Sequence, residues 1–502
     1  VATRTLDNLA SLSYALADLV LVAAVLGVIG WDLAAPPRSK GRGATALAVG
    51  ALAFSAASAA WSLATAQPAV ALFGGLLVHD AFASVFRVLL SLVVAAFLVV
   101  AGPSEDQRRK LDGLQRNPAE LAALALVMTL GMGLMASSSN LLMIYLSIEL
   151  VSVMSFVLAG YESEDRRSAE AALKYVVFGG VASAIMVYGM SFLFGLSGSL
   201  DLGSIGQRIG ALTAAQGRIP EVALVGSICV FVGFGYKISA APFHMWAPDV
   251  YEGAPMPVAA LLSVGPKVAG FAVLVRFFQS TQPELTASPW PIVLGCVAMA
   301  TMTVGNLSAL GQDNLKRLLA FSSIAHAGYM LLGFLVFTRD GTAAILFYAC
   351  AYALMNLGAF LVVIAVAEQS GGSESLVAFR GLGRRAPITA AIMAVFLASL
   401  TGLPPLVGFV GKFYLFSALL ARGGVFSVVV AMVGVVNSVI GFFYYARILR
   451  AMYLEQGASD APLVVRPILG KASLALAIPT LGLGVYWGPL YDLIASAVGT
   501  MK

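Results

Sequence analysis

Long apolar runs follow one another along almost the whole chain, separated by short polar stretches. Each run is at least about 18 residues long, enough to cross the hydrocarbon core of a bilayer as a helix. About fourteen such runs can be delimited, near 10–31, 44–66, 77–101, 119–136, 138–160, 169–196, 220–246, 255–278, 289–310, 319–337, 342–367, 386–420, 425–453 and 471–496. The runs are continuously apolar and do not alternate apolar with polar positions, which argues against a membrane β-barrel. The pattern predicts an all-α polytopic membrane protein. Its longest polar excursion, 197–219, is rich in Gly and Ser and is expected to hold a short surface helix.

The seventh and twelfth runs carry matching defects. In one, Lys237 is followed by Pro242 and Pro248; in the other, Gly402-Leu403-Pro404-Pro405 precedes Lys412. Proline removes a backbone donor and clashes with the preceding turn, so both helices are expected to break. Interrupted backbone survives at membrane depth where it is buried or lines a polar cavity. Two broken helices five spans apart suggest two structural repeats. Because five is odd, the second would be inverted relative to the first, as in many transporters.

Composition agrees with the pattern. The 502 residues are 60% hydrophobic and 11% charged, against about 25% charged in soluble domains. No stretch has room for a sizeable soluble domain. The net charge of +5 is spread over short loops and does not point to nucleic acid. Eighteen Lys and Arg residues fall on one set of alternate loops and seven on the other set with the termini. This bias places loops 36–43, 103–118 and 369–385 in the cytoplasm and both termini outside. The sequence begins at Val1 without Met, so a few residues are expected to precede it. The first run lacks a cleavage-site pattern and reads as a mature helix. Cys229, Cys296 and Cys350 lie singly in apolar segments, which favours packing over disulfides or an iron–sulfur cluster.

Charges inside the runs carry the chemistry. Lys237, Lys267 and Lys412 each lie within a long apolar stretch, as does Glu149. A charged side chain at the centre of a membrane helix costs roughly 2.5–3.5 kcal/mol on insertion scales, and such residues mark ion or proton routes. Burial lowers a lysine pKa, so these lysines can exchange protons near neutral pH. The alternatives are a structural ion pair or snorkelling to an interface. Lys174 lies nearer the end of its run, where snorkelling is easier. Glu149 needs a partner, with Lys237 or Lys174 the candidates. His326, flanked by Ser322, Ser323 and Tyr329, is a candidate relay between the two halves, or else a hydrogen-bonded core residue. His244 lies beside the first break and is a candidate point of proton uptake. His79 with Asp80 reads as interfacial, and Arg87 as a structural or partner-contact charge.

No GxxxxGK[ST] phosphate loop is present. The nearest dinucleotide-like pattern, Gly381-Leu382-Gly383-Arg384-Arg385-Ala386, sits in a basic loop with no preceding strand, where such a match carries no weight. Nothing suggests nicotinamide, flavin or quinone chemistry belonging to this chain, and three dispersed histidines do not resemble haem or metal ligation.

Residues 235–270, GYKISAAPFHMWAPDVYEGAPMPVAALLSVGPKVAG, closely resemble the antiporter-like membrane subunits of bacterial NADH–quinone oxidoreductase, respiratory complex I. DNLKRLLAFSSIAHAGYMLLG (313–333) and LTGLPPLVGFVGKFYLF (400–416) resemble the same family. The YEGAP form and a lysine at 412 favour the subunit N type over its two sister types. The resemblance covers the chain from about residue 10. It implies one transmembrane domain over 1–502: helices 1–3 at 10–101, a first five-helix repeat (spans 4–8) at 119–278, a second, inverted one (spans 9–13) at 289–453, and a last helix at 471–496. It also implies that Glu149, Lys174, Lys237, Lys267, His326 and Lys412 fall on the family's central hydrophilic axis and transfer protons.

The resemblance further implies a bacterial inner-membrane location and packing against other membrane-arm subunits, including antiporter-like sisters. No cofactor is expected on this chain; NAD, FMN, iron–sulfur clusters and quinone would belong to partner subunits. Two readings compete. A subunit of a multisubunit sodium–proton antiporter shares the fold, but sodium favours oxygen ligands, whereas these positions are rich in lysine. A structural membrane scaffold would tolerate loss of Lys237 or Lys412.

Overall fold

A computed structural model describes residues 4–36, 39–101, 117–282, 288–457 and 461–501. Arg38 and residues 103–116 of the expected cytoplasmic loops lie outside the described residues, as does Lys502.

The membrane-length helices are α1 (Leu16–Ala34), α2 (Lys40–Ala64), α3 (Ala81–Ala101), α4 (Pro118–Ser137), α5 (Leu141–Ala159), α6 (Arg166–Ser197) and α7 (Glu221–Ile238). A short helix, α8 (Trp246–Gly253), precedes α9 (Met256–Thr281), α10 (Trp290–Leu310), α11 (Leu315–Leu331) and α12 (Arg339–Gln369). Two half-length helices, α13 (Pro387–Thr401) and α14 (Val407–Ala421), lead to α15 (Val425–Leu454) and α16 (Pro467–Val485). Among the described residues, thirteen helices are long and apolar enough to span a membrane. The α13–α14 pair supplies a fourteenth crossing in two pieces. The surface helix expected in 197–219 is Leu202–Gln216.

Both interruptions fall where the prolines and glycines place them. α7 stops at Ile238, and helix resumes only at Trp246. Ser239, fully buried, takes φ +58°, a left-handed conformation that costs a non-glycine residue roughly 1–2 kcal/mol. Pro248 breaks nothing: it lies in the first turn of α8, where no intrahelical N–H is required. α13 ends on Gly402 at φ +91°, a left-handed glycine cap. Gly408 N donates to Ser399 Oγ at 3.1 Å and stitches α14 to the end of α13.

One proline is tolerated inside a buried helix. Pro266 lies within α9 and cannot donate to the carbonyl of Leu262 four residues earlier. Tyr251 Oη, from α8, donates to that carbonyl at 3.1 Å. The tyrosine of the VYEGAP sequence thus satisfies an acceptor that Pro266 releases.

The apolar run expected at 77–101 does not begin as helix. Strands β1 (Arg4–Thr5), β2 (Val70–Leu72) and β3 (Leu77–His79) form a small sheet in the order β1-β2-β3, with Val70 opposite His79 and Leu72 opposite Leu77. α3 starts only after Asp80, whose Oδ1 accepts from Ala83 N at 2.8 Å as an N-terminal cap.

The chain forms two compact units. The first comprises Val1–Ile238, Gly265–Trp290 and Ile494–Lys502; the second comprises Ser239–Val264 and Pro291–Leu493. Each has its own buried core and outward apolar faces, such as Leu173, Val177 and Val181 on α6 and Val428, Met432 and Val435 on α15.

Candidate functional site

In the first unit, Lys237 occupies the last turn of α7 and is 1% exposed. Its Nζ donates to Ser152 Oγ on α5 at 2.8 Å. The Ser152 hydroxyl proton is committed to Ile148 O at 2.7 Å, so Oγ meets the lysine as an acceptor. Gly270 on α9 makes room for the lysine stem: a methyl there would come within 2.8 Å of Ile238 Cγ2 and 3.2 Å of Lys237 Cγ.

Glu149 lies three residues before Ser152 on α5, on the same helix face. It is half-buried and accepts a hydrogen bond from Ser183 of α6. It stands within electrostatic reach of Lys237, yet no ion pair joins the two among the described residues. Lys174 is partly exposed and pairs with Glu170 on its own helix at 2.9 Å. Lys267, on α9, is fully buried.

In the second unit, Lys412 is 7% exposed on α14. Its Nζ donates to Thr401 O at 2.8 Å and Leu400 O at 3.2 Å. These carbonyls close the last turn of α13, where helix geometry leaves acceptors unpaired and concentrates partial negative charge. Ser438 Oγ lies 3.4 Å away, and the ring of Tyr329 lies beneath the ammonium, 4.5 Å from nitrogen to centroid. The phenol of Tyr329 is tied to Ser438 Oγ at 3.0 Å and Gly434 O at 3.3 Å.

His326 lies on α11, one turn before Tyr329, and is buried. Its Nδ1 is 2.7 Å from Tyr348 Oη and its Nε2 3.2 Å from Tyr445 Oη; Tyr445 also bonds Ser322. Nearby, Tyr444 donates to Asn306, which donates to Asn437. Linked hydroxyls and an imidazole of this kind can pass a proton by exchanging hydrogen-bond roles, whereas the asparagine amides, with fixed donor and acceptor atoms, hold Tyr444 in place. His244 is half-buried in the 239–245 interruption.

The structure also pairs charges that lie outside the proton-transfer set expected from the sequence. Lys316 heads α11 and is 4% exposed, paired with Glu374 at 2.5 Å and donating to Ala254 O at 2.9 Å. Arg317 bridges Asp249 and Glu252 of α8 at 2.8 and 2.6 Å. In the first unit, Asp80 and Arg276 form a buried pair at 2.6 Å, and Arg87 pairs with Asp18 at 3.0 Å. His79 is 2.9 Å from Ser62 Oγ; burial first, then the Arg87 charge, hold its imidazole below the ordinary pKa. Among the described residues, no group of three His, Cys, Asp or Glu side chains could hold a metal ion.

Residues 138–441 match a family described as NADH:quinone oxidoreductase/Mrp antiporter, TM. The chain is 60% identical to NADH-quinone oxidoreductase subunit N 2 of Sorangium cellulosum, with 99% of each chain covered. A chain of respiratory complex I from Thermus thermophilus superposes with a TM-score of 0.79 at 30% identity, covering 95% of this chain and 99% of that one. A chain of the Mrp complex from Dietzia superposes at 0.83 with 21% identity, covering 97% of each, a likeness of fold.

Proposed function

The chain belongs to the NADH:quinone oxidoreductase/Mrp antiporter transmembrane family, and we propose that it moves protons through buried side chains centred on its two helix interruptions. It is a proton-translocating, multi-pass membrane-arm subunit of an NADH–quinone oxidoreductase, working beside antiporter-like sister subunits. In this reading Lys237, with Glu149, Lys174 and Lys267, handles protons in the first unit. Lys412 and His326 do so in the second, and His244 takes up protons at the first break.

The observation that carries the reading is the burial of Lys237, Lys267 and Lys412 inside membrane-length apolar elements, at a cost that structure alone does not require. The chain holds no redox centre of its own. NAD, FMN, iron–sulfur clusters and quinone act in partner subunits, so energy reaches these lysines through the assembly. Helices α4–α9 and α10–α15 form two inverted repeats, supported by the matching interruptions. The protein lies in the bacterial inner membrane with both termini outside, supported by the eighteen-to-seven distribution of basic residues.

The test is Lys237→Met in the assembled complex, with proton pumping and quinone-dependent NADH oxidation followed in membrane vesicles. Loss of pumping with assembly intact is expected; wild-type pumping would refute the role of Lys237.

A further inference from the structure

Lys237 is not in contact with the carboxylate that its charge calls for. Its nitrogen rests on Ser152 at 2.8 Å, while Glu149, one turn back on the same helix, is engaged by Ser183. Three residues of α-helix advance about 4.5 Å along the axis. The two acceptors therefore lie on one face of α5, a side-chain swing apart for a four-carbon stem. They differ in kind. Ser152 directs its own hydroxyl hydrogen to Ile148 O, so it offers the lysine a lone pair and no countercharge. Glu149 offers a countercharge. A group that must both hold and release a proton needs surroundings that alternate in this quantity.

We propose that Ser152 is a positioning residue for Lys237: a neutral docking point, one helical turn from Glu149, that holds the lysine nitrogen apart from the carboxylate. Ser183 is its counterpart on the other side, occupying Glu149 while the lysine is docked. Lys237 then works between two places on α5. The inference rests on the proton-carrying role of Lys237 given above, and adds to it what the lysine leaves and returns to.

Three substitutions at Ser152 test it in the assembled complex, with Lys237→Met as reference and protons pumped per NADH oxidised as the readout. Ser152→Thr keeps the hydroxyl and is expected to pump within about twofold of wild type. Ser152→Ala removes the acceptor at little change in volume, and an approximately three- to tenfold loss, the size of one lost hydrogen bond, is expected. Ser152→Cys, a weaker acceptor, is expected between them and carries the comparison if the alanine variant does not assemble. A density map of the Ala or Cys complex should show Lys237 Nζ moved toward Glu149. Wild-type pumping in the Ala variant, or in the Cys variant standing in for it, together with an unmoved lysine, would overturn the docking role. So would a threonine variant as impaired as alanine. If instead Lys237→Met itself pumps normally, the broader reading fails, whatever Ser152 does.

Discussion

Lys237 and Lys412 have the same side chain and comparable burial beside a broken helix, yet the protein holds them in opposite ways. Lys237 ends the helix before its break and leans on a neutral serine, with a carboxylate one turn away. Lys412 stands on the helix after its break and reaches back to the carbonyls that end the preceding half-helix. The first lysine is held by a side-chain hydroxyl, with a carboxylate in electrostatic reach but not in contact. The second is served by backbone acceptors that cannot leave, and by a ring face that suits a cation. A buried ammonium can thus be accommodated by a nearby countercharge or by the end of a helix, and the two devices respond to different changes.

Neutralising either lysine should cost the most, and the two losses should differ in kind. Lys412→Met leaves the Leu400 and Thr401 carbonyls buried without their donor. Pumping in the assembled complex is expected to fall at least about tenfold, alongside a loss of thermal stability that Lys237→Met shows to a lesser degree. Equal destabilisation by the two would argue that their surroundings are not distinct.

Glycine substitutions probe the room each lysine needs. Gly402→Ala forces a side chain onto φ +91° and sets its methyl 3.0 Å from Lys412 Cδ, at a cost of roughly 1–3 kcal/mol. Gly270→Ala is not strained in backbone but crowds Ile238 and the Lys237 stem, for about 1–3 kcal/mol of overpacking. Chemical or thermal unfolding of the complex should rank Gly402→Ala at least as severe, and both should lower pumping without altering electron input.

The ring beneath Lys412 gives a finer test. Tyr329→Phe keeps the face and loses the phenol, whereas Tyr329→Leu loses both. Pumping should fall only slightly for Phe and several-fold for Leu if the face supports the charge, a contact worth about 2 kcal/mol when desolvated. Equal loss in both would shift the role to the Ser438 link. The smallest effect lies outside both lysine sites. Because the folded protein holds His79 below its usual pKa, the unfolded chain binds the proton first, and stability falls as pH drops below about 6.5. His79→Gln should flatten that acid-side decline in thermal unfolding while leaving pumping at neutral pH unchanged.

Much of the fold was legible because a bilayer leaves few options. Continuous apolar runs read as helices, and the defects at Pro242 and at Gly402–Pro405 interrupt them, whereas Pro248 and Pro266 do not. The hairpin at Val70–His79 was hidden because a short apolar strand running into a long apolar helix shows no change of pattern; only Asp80, as a cap, marks the joint. The buried lysines were visible as charges in apolar runs, but their partners were not. Ser152 is 85 residues from Lys237 in sequence and reads as an ordinary small helix residue. Lys316 was hidden for the opposite reason. It stands in a polar stretch, DNLKR, and only its contacts with Glu374 and Ala254 place this one charge in the interior.

Lys237→Arg, measured as protons pumped per NADH oxidised in vesicles carrying the assembled complex, separates a transferable proton from a fixed charge at this position. Arginine keeps a positive charge and a hydrogen-bond donor at the end of α7 but does not deprotonate in proteins. If Lys237 carries protons, the arginine complex assembles, accepts electrons and fails to pump through this site. If a fixed charge is all that the position requires, it pumps like wild type, and the account is wrong.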